Sequence, residues 1–421
     1  MGFVLRASAS AGLDFYFLSK QLEENFDSIK SGNSAHFSIL LSMRRCPWFA
    51  LTLVMTLAWA IRIEADPTPA SHDASFSKEG LFKADVSTLK DTELTPHPDV
   101  PLSGNQNVLW CGTLQLAWNE AIGLVGEKLH FANQPPVVDL MNRADFTKTD
   151  LDAASYVAIA DFERNNVEDE IRAALAKTFK GAASPELIPP KPPHPAPDDF
   201  VAYAYLYKDL AFAKPFADND EIAFGSTQVK NFGFGTNPRL LPDGVMDQVS
   251  IYDYRSADDF VITVKPKAKE DELILAKLQP GVTLQATIDS VLQRISANQP
   301  EPMGPDPELA IPKLNFDLRG DFQQLEDLIL EPSPSAHVKK LVTTKVQQLV
   351  RFQLNEKGAI LKSEAVIVMK TLAIQGGTTP DRHIMIFDKP FLILMKRTDS
   401  PHPYFALWVG NASLLVPADG K

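Results

Sequence analysis

Strand-like runs in the second half of the chain are the feature that most constrains its fold. FVAYAYLYKDLAF begins at Phe200 and FVITVKP at Phe260, and LVRFQLN, AVIVM and FLILMKR follow toward the C-terminus. Their β-branched and aromatic residues, in alternating or short continuous apolar patterns, are typical of strands. The runs do not alternate regularly with helical segments. The pattern therefore favours an α+β domain, with large β-sheets and peripheral helices, rather than a doubly wound fold.

Two helical segments precede most of these runs. TLQLAWNEAIGLVGEKL, from Thr113, has its apolar residues at helical spacing. VEDEIRAALAKTF, Val167–Phe179, has acidic residues in its first turn and basic residues near its end, which suits the helix dipole. Both segments are predicted to form amphipathic helices.

Two proline-rich stretches, residues 185–199 and 299–312, interrupt the pattern. Proline lacks a backbone donor, which disfavours helix and inner strand and favours an extended connector. The first could serve as a domain linker, as a ligand of a proline-recognition domain, or as a surface crossing within one domain. We favour the surface crossing, because it is the commonest of the three.

An apolar run near the start has the layout of a secretory signal peptide. Arg44 and Arg45 precede CPWFALTLVMTLAWA, which ends in Ala-Trp-Ala at residue 60. The run has about fifteen residues, whereas a membrane span needs about twenty, so a signal peptide is favoured over an uncleaved anchor. We predict a signal peptide at residues 43–60 that starts at Met43, which makes residues 1–42 an over-extended gene model. A flexible leader at 61–105 and one folded domain at 106–421 are predicted to follow.

Charge and cysteine content exclude several classes of protein. With 41 basic against 53 acidic residues, the net charge of -12 argues against a nucleic-acid partner. Cleavage after Ala60 would leave Cys111 as the sole cysteine, which excludes an intramolecular disulfide. Its apolar surroundings favour a buried thiol over a nucleophile. We expect secretion to an extracellular or periplasmic location, without stable membrane insertion after signal cleavage.

The sequence lacks recognisable catalytic and metal-binding patterns. None of the eight histidines belongs to a spaced ligand set, and the GxSxG pattern does not occur. The carboxylate pairs at residues 198–199 and 258–259 are typical of solvated surfaces. We therefore predict no cofactor, no metal and no enzymatic activity, with a secreted hydrolase that lacks a recognisable motif as a minor alternative.

A family resemblance appears in MIFDKPFLILM, Met385–Met395. This stretch resembles the C-terminal signature of serpins, carried by Phe387, Asp388, Lys389, Pro390 and Phe391. Four further segments resemble serpin segments in family order: AYAYLYKDLAFAKPF, IPKLNFDL, QLVRFQLNEKG and PYFALWVGNASLLVP. The resemblance covers residues 202–417 and implies a divergent serpin-like domain with a reduced N-terminal half and a reactive loop near the C-terminus.

The resemblance implies a loop, Ala359 to Met385, exposed as bait for a trypsin-like serine protease. The scissile bond would join Lys370 and Thr371, with Leu372 and Ala373 as the alternative. The hinge of the loop corresponds to Glu356, Lys357, Gly358, Ala359, Leu361, Ser363 and Ala365.

Two features of the hinge and its surroundings depart from the family pattern. Period-two alternation predicts one face with Leu361 among small residues and an opposite face whose Lys362 and Glu364 could stay in water. Leu361 would resist insertion between strands. In addition, Cys111, Gly112 and Leu114 replace the serine, proline and serine of the family's polar latch, and Gln348 replaces its histidine.

Two functions therefore stay open: a secreted protease inhibitor with a bait loop, and a non-inhibitory binding or structural protein of the same fold.

Overall fold

The computed structural model describes residues 70–418 except 104, 192–193, 195, 197, 236–242, 304–306, 332–340, 366–371 and 374–382. Within these residues the helices are α1 (Thr113–Val125), α2 (Pro136–Met141), α3 (Val167–Phe179) and α4 (Leu284–Ala297). Both helices predicted from periodicity are confirmed. At the end of α1, Gly126 takes the left-handed conformation (φ 88°) in which glycine stops a helix.

The strands of the described residues are numbered in chain order: β1 (Phe82–Asp85), β2 (Thr92–Thr95), β3 (Leu102–Ser103), β4 (Asn107–Cys111), β5 (Tyr156–Phe162), β6 (Phe200–Ala211), β7 (Ala217–Phe224), β8 (Thr227–Phe234), β9 (Val249–Ser256), β10 (Asp259–Val264), β11 (Asp271–Lys277), β12 (Glu301–Pro302), β13 (Glu308–Pro312), β14 (Leu314–Asp321), β15 (Gln347–Asn355), β16 (Gly358–Ala365), β17 (Leu372–Ala373), β18 (Ile384–Ile386), β19 (Phe391–Arg397) and β20 (Pro403–Val409).

The described residues form three sheets, together with a two-stranded pair of β17 and β3. The six-stranded sheet has the order β1-β14-β15-β16-β6-β5, the eight-stranded sheet β12-β9-β10-β11-β19-β20-β4-β2, and the four-stranded sheet β18-β13-β8-β7. Most neighbours are antiparallel, and the helices do not alternate with the strands along the chain. The predicted α+β class is confirmed.

The core lies largely between the six- and eight-stranded sheets. Phe352 of β15 stacks on Phe405 of β20 at 4.6 Å between ring centroids. A buried ion pair also joins the sheets: Lys208 of β6 donates to both carboxylate oxygens of Asp271 in β11, at 3.0 and 2.9 Å. Helix α1 packs on the same side of the six-stranded sheet, against β5, β6 and β16.

The prediction of a flexible leader through residue 105 is wrong for residues 70–103. These residues form β1, β2 and β3, and Phe76, Leu94 and Leu102 are buried. The segment has too few apolar residues to fold alone, but it adds strands to edges that the rest of the domain provides. Residues 61–69 lie outside the described part.

The second proline-rich stretch also differs from its prediction as a connector. Its end, Glu308–Pro312, is a buried strand of the four-stranded sheet. The first stretch is free of helix and strand in its described residues. No helix in the described part of the chain has the length and apolar character needed to cross a membrane.

Candidate functional site

The predicted hinge forms the strand β16 in the middle of the six-stranded sheet. It is antiparallel to β15 on one side and to β6 on the other, over all eight of its residues. A two-residue turn, Glu356-Lys357, connects β15 to β16. Gly358 follows at φ 153°, where a Cβ would meet the Leu210 carbonyl oxygen at 2.5 Å, so only glycine fits. For residues 359–365, the prediction of an exposed loop is therefore wrong.

The inner face of β16 matches the predicted alternation. Ala359, Leu361, Ser363 and Ala365 are all fully buried. Leu361 lies opposite Phe352 in the register with β15. The slot between the strands thus accommodates a leucine, and the predicted steric objection to insertion does not hold for this chain.

The outer face of β16 contradicts the expectation that its charges stay in water. Lys362 has 0% exposed side-chain surface, and its ammonium donates to Asp73 at 3.0 Å and to Glu186 at 2.8 Å. Burial alone would lower the pKa of Lys362, but the hydrogen bonds to Glu186 and Asp73 outweigh it and raise the pKa above its ordinary value. The lysine is therefore held charged inside the protein.

Glu364 is the second buried charge-bearing group on this face. Its two oxygens accept hydrogen bonds from the backbone N–H groups of Glu186 and Leu187, each at 2.7 Å. Burial nevertheless raises the pKa of Glu364. The start of the proline-rich connector is thus fixed across β16 by backbone donors as well as by the ion pair of Lys362.

His72 completes the cover over this face. Its ring stacks on Tyr207 at 3.6 Å between centroids, and Nδ1 lies 2.8 Å from the Tyr205 hydroxyl. Burial, helped by the nearby positive charge of Lys362, lowers the pKa of His72 to about 4. The imidazole is therefore neutral at physiological pH.

A polar latch lies beneath β16, although its residues differ from those of the family. The Gln348 amide donates to the Thr113 hydroxyl at 2.8 Å and to the Cys111 carbonyl at 3.1 Å. The Thr113 hydroxyl is 2.9 Å from that of Ser363 in β16. The motif resemblance missed Thr113 because the family's two serines correspond to positions 111 and 114. Burial raises the pKa of the Cys111 thiol, which suits the predicted inert role.

An ion-pair network lies at the turn that begins β16. Glu356 accepts from Lys313 at 2.9 Å, and Lys313 also contacts Asp218 at 2.9 Å. Burial would raise the pKa of Glu356, but the bond from Lys313 outweighs it and lowers the pKa. Lys357, the other turn residue, is exposed. This network ties the turn to the four-stranded sheet.

The signature residues lie at the junction of the four- and eight-stranded sheets. Phe387 and Phe391 are fully buried, 5.0 Å apart between ring centroids. Asp388 pairs with the buried Lys277, while the exposed Lys389 pairs with Asp258. The aromatic residues therefore serve the core, and Pro390 directly precedes Phe391, the first residue of β19.

The predicted scissile bond, Lys370-Thr371, lies outside the described residues. The alternative pair, Leu372-Ala373, forms β17 and pairs in parallel with β3. Beyond it, β18 pairs in parallel with β13 in the four-stranded sheet. Among the residues that the structure describes, three or more potential ligands do not come together in a way that could hold a metal ion.

Comparison with known proteins finds similar folds but no similar sequences. Neither a family model nor a curated protein matches the chain. A solved structure of cleaved serpin 42Da is 11% identical, with a TM-score of 0.43 over 73% of this chain and 90% of that chain. A loop-inserted structure of a cleaved ovalbumin mutant is 10% identical, with a TM-score of 0.40 over 73% and 94%.

A complex of thyroxine-binding globulin with thyroxine is 13% identical, with a TM-score of 0.36 over 73% of this chain and 94% of that chain. Such likeness concerns the fold alone. A divergent serpin-like fold is what the sequence motifs imply, and the α+β architecture with large sheets agrees with it.

Proposed function

We propose that this chain is a secreted, non-inhibitory protein of serpin-like fold, which acts by binding and holds its central strand inserted in the uncleaved state. The observation that carries the proposal is the position of β16, hydrogen-bonded along both edges and covered on both faces. The family resemblance implies that inhibition requires a cleaved loop to enter the sheet as a new strand. A sheet whose slot is already filled gains no strand on cleavage.

Chain length is compatible with insertion without cleavage. Eighteen residues connect Ala365, the end of β16, to Ile384, the start of β18. An eight-residue strand is about 26 Å long, and eighteen extended residues span up to about 60 Å. The intact chain is therefore long enough to return along β16 and still place β18 beside β13.

The charges on β16 also support a strand that stays in place. A loop that moves between water and the sheet would transfer Lys362 and Glu364 from solvent into full burial at each insertion. Desolvation of a charged group costs several kcal/mol unless partners are already positioned. Here Asp73, Glu186 and the N–H group of Leu187 are the partners.

A protease reaction tests the proposal. The uncleaved protein is incubated with a trypsin-like protease, products are separated in denaturant and weighed by mass spectrometry, and the melting temperature is measured before and after cutting. We expect no covalent adduct and no rise in melting temperature. A denaturant-resistant ester together with a large rise would overturn the proposal.

The second candidate function is protease inhibition with Lys370-Thr371 as bait. The observation in its favour is the lysine, which suits the acidic specificity pocket of a trypsin-like protease. Lys370→Ala is the matched control, because it should remove a cut at this bond under both candidates. Adduct formation that disappears in this variant would identify an inhibitor, whereas failure to cut anywhere in residues 359–385 would reject the bait.

A further inference from the structure

The segment His72–Ser77, near the start of the described residues, lies across the outer face of the six-stranded sheet and is called here the N-terminal strap. Over β6, His72 stacks on Tyr207. Over β16, Asp73 accepts from the buried ammonium of Lys362 at 3.0 Å. One short segment thus contacts both the inserted strand and a strand that borders it.

The strap also contacts β15, the strand on the other side of β16. The Arg351 guanidinium is 3.2 Å from the Asp73 carboxylate and lies over the Phe76 ring at 4.2 Å. The backbone N–H of Ser77 donates to the Gln353 side chain at 3.1 Å. The strap therefore covers three adjacent strands, with the inserted strand in the middle.

We propose that the N-terminal strap is a lock that holds β16 in the sheet. This inference rests on the proposed function, since it concerns the same inserted strand. The resemblance to serpins does not imply this lock, because the motifs that carry the resemblance begin at residue 202. The predicted export cut after Ala60 would leave the whole strap on the mature chain.

Unequal exposure explains why the lock would act on β16 in particular. The Lys362 side chain is 0% exposed, whereas those of its partners Asp73 and Glu186 are 38% and 39% exposed. When the strap is displaced, Asp73 gains water, but Lys362 loses one of its two counter-charges, and its ammonium is less stable in the sheet beside a single carboxylate. Displacement of the strap therefore favours departure of the strand.

Hydrogen–deuterium exchange on the full-length uncleaved protein tests the lock. In Asp73→Ala, we expect the amides of β16 to exchange at least tenfold faster, while those of β19 in the eight-stranded sheet keep their rates. Glu79→Ala is the matched control: it removes a carboxylate six residues further along, whose partner Lys230 lies in β8 of the four-stranded sheet. The control should leave β16 unchanged.

Lys362→Met separates the lock from general destabilisation. It removes the buried charge while keeping a long side chain, so adding Asp73→Ala to it should accelerate exchange in β16 less than threefold. An unchanged β16 in Asp73→Ala, equal acceleration of β16 and β19, or the full tenfold effect in the Lys362→Met background would each overturn the lock. Rapid exchange of β16 already in the wild type would instead overturn the proposed inserted state.

Discussion

Leu361→Ala distinguishes an inserted β16 from an exposed loop by a change in stability. In the structure the Leu361 side chain is fully buried on the inner face of β16, opposite Phe352. Truncation of a buried leucine to alanine removes its transfer free energy and leaves a cavity, which together cost about 2–5 kcal/mol. The tight pairing on both edges limits collapse of the cavity, so we expect about 3 kcal/mol or more. In a solvated loop the same change would cost less than about 0.5 kcal/mol.

The assay is equilibrium unfolding of the uncleaved protein in guanidinium chloride, with intactness verified by mass spectrometry before and after. Ile360→Ala is the matched control, because Ile360 is the adjacent residue and lies half-buried on the opposite face. We expect it to cost about 1 kcal/mol, since less apolar surface is lost from the interior. A loss below about 0.5 kcal/mol for Leu361→Ala would refute the inserted strand in the intact protein.

Further predictions concern the core, pH, the latch and export. Phe391→Ala should cost roughly 3–5 kcal/mol in the same assay, and near-wild-type stability would contradict its place in the core. The pKa of His72 is about 4 in the folded state and 6.5 in the unfolded state, so the unfolded state binds more protons. The free energy of unfolding should therefore fall by up to about 3 kcal/mol as the pH drops from 6.5 to 4. His72→Phe should remove that part of the pH dependence. An unaltered pH dependence of stability in this variant would contradict the role of His72. Thr113→Val should cost about 1–3 kcal/mol because the Gln348 amide loses an acceptor, and a neutral effect would argue against the latch. N-terminal sequencing of exported protein should find a first residue near Ile61. Retention of residues 1–42 would contradict the predicted signal peptide and the predicted start at Met43.

The sequence pattern alone predicted the helices, several strands and the two faces of β16. The helices Thr113–Val125 and Val167–Phe179 follow from apolar spacing and the distribution of charge. The strands β6, β10, β15 and β19 fall on the apolar runs that predicted them. Alternation also assigned Leu361 and Ser363 to one face of β16, because successive residues of a strand point to opposite sides.

Only the tertiary structure decided what covers each face. Lys362 reads from sequence as a solvent-facing lysine, yet Asp73, 289 residues away, and Glu186, 176 residues away, enclose it. Thr113 gained its place in the latch in the same way, through Gln348 and Ser363, both more than 230 residues distant. Periodicity fixes which side chains share a face, whereas burial of a charge depends on partners brought from elsewhere in the chain, and that pairing has no local sequence signal.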